Sequence, residues 1–235
     1  MVRLGQEHTA KNRTLLNRDM TCISVSAMAY RMGETTFRLA QEADIYAPHV
    51  ESINRYVDEL RRSERGWAPY VAPLHGGANA RVLSILRDPG PATQEDTGSG
   101  MLCIENDDPS AALQCTLLEH AGLVASDLTP WNAYPWYINR SPKTAELEAG
   151  LPTIVRMIGL MPDMRVVLLQ GGDAQRSWKM LKRQHRGIIA DRQLVAVPTY
   201  HPSRQALFTP DPIEQKRREA RRFEAFQEAA EALGR

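Results

Sequence analysis

Four short apolar runs alternate with helical segments along this chain, and that alternation restricts the fold more than any other feature. The runs are Arg81–Arg87, Asp127–Asn132, Arg165–Gln170 and Gln193–Thr199, each too short to make a helix. Between them lie segments with helix signals. Asp108 is the expected N-cap of a helix that takes Pro109 at its first position and stops before Gly122. Thr144–Leu160 reads as a helix interrupted by Gly150 and Pro152, Ala174–Gln184 as another, and the highly charged Pro212–Leu233 as a terminal amphipathic one. Strands alternating with helices predict a parallel sheet covered on both faces. The expected fold is therefore α/β: three α/β/α layers around a central, mainly parallel four-stranded sheet.

In such a sheet the loops leaving the C-terminal strand ends converge on one crevice. Two of these junctions carry groups capable of acid, base or hydrogen-bond chemistry. The first, RVLSILRDPGP, ends a strand on Asp88, and Pro89 restricts the residue before it to extended backbone, which holds the carboxylate at the strand's end. A carboxylate there can deprotonate or orient a water, although Asp before Pro is also a common turn starter. The last, QLVAVPTYHPS, ends on His201, which can donate to a developing anion without being protonated or can simply cap its own loop. Between them, WNAYPW brings Asn132, whose amide offers a donor and an acceptor to the edge of a base. Its neighbours Trp131, Tyr134 and Trp136 suit either a pocket wall or the core.

Composition narrows the classes. With 235 residues, 43% hydrophobic and 24% charged, the chain has the make-up of an ordinary globular protein. It has no apolar run approaching the roughly 18 residues of a membrane span, and its first residues lack a signal peptide's apolar stretch. The expectation is a cytoplasmic protein. Cys22, Cys103 and Cys115 are too scattered for a disulfide framework or a cysteine metal site. A net charge of +1 gives no global pull on polyanions. The basic run Arg176, Lys179, Lys182, Arg183 and Arg186 reads first as a solvated helix face and second as a face that touches phosphate. Residues 1–34 read as a polar N-terminal tail or extension, with Met20, Met28 and Met32 as alternative starts, and 35–235 as one domain. The pair Gly171–Gly172 precedes a helix but lacks the spacing of a dinucleotide loop.

Taken in order, LRDPG at Leu86–Gly90, WNAYPW at Trp131–Trp136 and YHPS at Tyr200–Ser203 resemble the motifs of the uracil-DNA glycosylase superfamily over roughly Arg81 to Leu207. GSGML at Gly98–Leu102 is similar to the superfamily segment whose aromatic ring stacks on the extruded base. The resemblance implies base flipping and hydrolysis of an N-glycosidic bond, with removal of uracil or a related deaminated base from DNA in base excision repair. It implies Asp88 and His201 as catalytic residues and Pro89, Gly90, Met101 and Asn132 around the base. Ser203, Arg204 and Leu207 would contact DNA, with Leu207 as the wedge. No metal or cofactor is implied; the partner is DNA carrying a damaged or deaminated base, and the protein is expected to be a nucleoid-associated monomer.

The sequence departs from the pattern in telling places. Met101 stands where the ring is usual, Gly90 stands where the most uracil-specific branch has a Tyr, and the cysteines of iron–sulfur branches are missing. Two other classes compete. A noncatalytic nucleic-acid-binding protein on the same fold would carry these departures as lost chemistry. A small-molecule hydrolase would need a G-x-S-x-G elbow or clustered carboxylates, which the sequence lacks.

Overall fold

The computed structural model describes residues 29–235; Cys22 and most of the tail lie outside the described residues. Its centre is a sheet of β2 (Val82–Leu86), β4 (Leu128–Asn132), β5 (Val166–Gln170) and β6 (Val195–Thr199), in the order β4-β2-β5-β6 with every pairing parallel. Pro130 and Pro198 fall on the two edge strands, where a missing N–H costs no ladder bond.

Side-chain alternation along the strands sorts the core into two layers. Leu83, Ile85, Trp131, Val167 and Leu169 point to one face. There they meet α2 (Glu51–Arg61), α4 (Thr144–Leu160) and α5 (Gly172–Gln184) through residues such as Val57, Ile154 and Leu181. Val82, Leu128, Val166, Leu168 and Val197 point to the other, against α3 (Pro109–His120) and α7 (Pro212–Ala232). This is the three-layer α/β/α arrangement expected from the alternation. Trp131 and Trp136 belong to the core: their indole nitrogens donate to Thr153 Oγ1 at 3.2 Å and to the Leu60 carbonyl at 3.1 Å.

Three local expectations need correction. First, α4 is continuous through Gly150 and Pro152. Burial of Leu147, Leu151, Ile154, Met157 and Ile158 along one stripe outweighs the bond lost at the proline. Gly150 serves packing, because a Cβ there would run into the Ala133 carbonyl at the end of β4. Replacing a helical glycine by Ala ordinarily stabilises; here Gly150→Ala should destabilise by about 1–3 kcal/mol, read as a lower urea midpoint at unchanged m-value.

Second, beyond the four apolar runs, the stretches on either side of β2 contain β1 (Tyr70–Val71) and β3 (Met101–Leu102), which pair in parallel. Two-residue strands leave no alternation to detect. Third, packing begins before Thr35. Arg31, in the 3₁₀ turn Arg31–Gly33, pairs with buried Glu105 at 2.5 and 2.7 Å, and Met32 is buried. The remaining helices are α1 (Thr35–Ala43) and α6 (Arg186–Asp191). Among the described residues no helix is long and apolar enough to cross a membrane.

Candidate active site

The chain leaves β2 to make β4 on one side, then crosses back to make β5 on the other. The switch point between β2 and β5 is where a parallel sheet opens a crevice at its C-terminal edge. A cleft of about 1310 Å³ lies there, lined by Asp88, Pro89, Gly90, Asn132, Gln170, His201 and Ser203 among others. The strand exits stay zipped beyond the sheet proper: Ala133 N–H donates to the Leu86 carbonyl at 2.8 Å and Tyr134 N–H to the Arg87 carbonyl at 3.0 Å. Those bonds hold the exit of β4, with Asn132, beside the exit of β2, with Asp88.

Asp88 is buried, its side chain 2% exposed. The Arg87 Nε donates to Oδ1, while Oδ2 is buried without a hydrogen-bond partner. Burial raises the carboxyl above its ordinary pKa; the Arg87 guanidinium and the amides of Asn139 and Arg140 pull the other way. Asn132 is equally enclosed, and its Oδ1 also has no partner. A buried acceptor left open costs stability, so two of them on one cleft mark a place shaped for a donor-bearing ligand or water.

His201 is tied by its own loop. The Ser203 N–H donates to Nδ1 at 3.1 Å, which leaves the proton of the neutral ring on Nε2. Burial first, then the charges of Arg87 and Arg222, lower its pKa to about 4, so the ring is neutral at pH 7. Beneath it Gly171 adopts a φ of 101° at the start of α5, and a Cβ there would sit 3.1 Å from that of His201. Gly171, the first of the glycine pair noted in the sequence, thus lets the His201 backbone and Cβ come close, whereas a Cβ at Gly172 would meet nothing within 4 Å.

Other expected residues fall differently. Met101 is absent from the cleft lining and packs instead with Met32, Ala72 and Cys103. Leu102, next along β3, lines the cleft, because neighbours on a strand point to opposite sides. Arg204 is exposed, outside the lining. Leu207 is half-buried, whereas Phe208 is 83% exposed. The basic run lies along α5 and α6 with all five side chains exposed. Arg176 pairs with Asp173 at the cleft end of α5, and Arg183 sits seven residues beyond Arg176, about 10 Å at the helical rise.

A polar group that sequence reasoning missed forms part of the cleft wall. Gln170 Nε2 donates to Ser84 Oγ and to Gln114 Oε1, both at 2.7 Å, and Gln170 Oε1 is a third buried acceptor without a partner. At the end of an apolar run Gln170 gave no signal, since its role depends on α3 arriving opposite it.

Fold and cleft define a three-layer parallel α/β protein whose carboxylate, amide and neutral imidazole share one crevice at the strand ends. Residues 73–233 match the family model described as the Uracil DNA glycosylase superfamily, and the chain belongs to that superfamily. The matched region takes in every strand of the central sheet and α7. A search of curated proteins finds no match. Membership points to a DNA glycosylase in general, with DNA as the substrate.

Proposed function

We propose that the protein is a monofunctional DNA glycosylase that extrudes uracil or a related deaminated base and hydrolyses its N-glycosidic bond, leaving an abasic site. The observation that carries this reading is the gathering of Asp88, Asn132 and His201 on one cleft of a superfamily fold. Asn132 accepts the ring N–H of the base at Oδ1 and donates to the adjacent carbonyl. As the C1′–N bond breaks, its electron pair moves onto the base. The Nε2–H of neutral His201 donates to the base oxygen where that charge gathers. A water held at Asp88 Oδ2 adds to C1′ and gives up its proton there.

Pro89 and Gly90 form the near wall. A Cβ at Gly90 would meet nothing within 4 Å, so no side chain restricts the base to the size of uracil there. Leu102 takes over the stacking role expected of Met101. Ser203 and Arg204 hold phosphate. Phe208 replaces Leu207 as the wedge, because an aromatic ring so fully exposed has little packing role in the free protein. Phe208→Ala should lower base release from duplex DNA by roughly 5- to 100-fold and change single-stranded turnover far less. In this reading the protein acts as a nucleoid-associated monomer in the cytoplasm, and 35–235 works as one domain together with the packed turn Arg31–Gly33.

One observation favours the alternative, a noncatalytic nucleic-acid-binding protein. Arg87 occupies one oxygen of Asp88, as in a purely structural ion pair. The test is incubation with oligonucleotides bearing single uracil, hypoxanthine or xanthine, then alkali to cut abasic sites. Strand cleavage with any of the three supports the glycosylase. Binding to all three without cleavage supports the alternative.

A further inference from the structure

Arg222, on α7, is 2% exposed, yet no carboxylate among the described residues lies within ion-pair distance of it. Glu219, one turn earlier, acts on it only from further away. Burying a guanidinium without a counter-charge is costly, and it persists only where the fold gains something in return. Its bonds show where it is aimed. Nη2 donates to the carbonyl of His201 and, at 2.6 Å, to that of Ser203, the residues bracketing the HPS turn. Nε is buried without a partner. Burial lowers the guanidinium to about 10, so it remains a cation at pH 7.

We propose that Arg222 is a positioning residue for His201: it clamps the His201–Ser203 turn through two carbonyls, which brings its charge close to the ring and keeps Nε2–H facing the cleft as the donor. The proposal rests on the reading of His201 as the donor to the departing base. Its two effects act together. The clamp holds the Ser203 N–H against Nδ1, which fixes the tautomer, and the cation opposes a second proton on the ring. The other charge acting on the ring is Arg87 at the exit of β2. Asp88 and Asp173 line the same cleft with the opposite sign, and Arg218 stacks over neighbouring Tyr200.

The experiment compares the parent with Arg222→Gln, which keeps a donor but loses the charge, and Arg222→Lys, which keeps the charge. The His201 ring is followed by NMR titration, and base release is measured in single turnover. The parent ring should titrate near 4. In Arg222→Gln it should titrate higher, yet below the ordinary histidine value because burial and Arg87 still act on it, with turnover reduced by up to roughly 100-fold. Arg222→Lys should restore both in large part. A ring that titrates alike in the parent and the Gln variant would overturn the proposal, as would equal losses in Gln and Lys with an unmoved titration. A parent His201 that titrates at the ordinary value would contradict the proposal as well. The titration needs no substrate, so a protein that releases no base at all would count against the glycosylase reading without deciding this one.

Discussion

Asp88→Asn is expected to lower base release by roughly 100- to 10,000-fold, the range for loss of a positioned base, while leaving affinity for DNA largely intact. The substitution is nearly isosteric, and the amide keeps an acceptor for Arg87 Nε, so the β2 exit should hold its shape. What disappears is the charged oxygen at Oδ2, open to a water. The pH dependence follows from the same geometry. The carboxylate must be ionised to take a proton, so the rate rises with pH through the raised Asp88 pKa. Arg87 acts to lower that pKa, so Arg87→Gln should move the acid limb to higher pH. A limb that stays in place in the Gln variant, with single-turnover rates measured across the acid range, would remove Asp88 from the role of base.

His201 carries the second large effect. His201→Ala should cost roughly 100- to 1,000-fold in turnover, the usual loss when one preorganised donor to a developing anion is deleted. His201→Gln should retain more activity than Ala, because a neutral N–H donor is what the geometry supplies. Because the ring titrates near 4, its deprotonation should leave no limb near 6.5 in the parent's rate profile. An essential imidazolium would reverse the pattern: activity would fall as pH rises through neutrality, and Gln would be as inactive as Ala.

The sequence announced the parts of this molecule whose signals are local. Asp108 caps α3 by accepting from the Ser110 and Ala111 amides, as its position before Pro109 predicts. The strands lie within a residue or two of the apolar runs, and their exits bring Asp88, Asn132 and His201 to one cleft, as expected of C-terminal strand ends in a parallel sheet. What stayed hidden depends on contacts between distant segments. Pro152 reads as a helix breaker until the apolar stripe of α4 is seen against the sheet. Met101 and Leu102 differ only in strand parity, which a two-residue strand cannot reveal. Arg222 sits in a helix so rich in charge that nothing marks it as the one folded inward. Gln170 becomes meaningful only once Gln114 and Ser84 bond its amide.

The central claim is hydrolysis of an N-glycosidic bond at this cleft, and its most direct test is the reaction run in ¹⁸O-labelled water on oligonucleotides containing uracil, hypoxanthine or xanthine. Mass spectrometry would follow both products. The account predicts the intact free base and an abasic strand, freshly formed, carrying one ¹⁸O at C1′, with both products lowered together by roughly 100- to 10,000-fold in Asp88→Asn. Bound DNA recovered unchanged from the parent, with no free base released from any of the three, would contradict it.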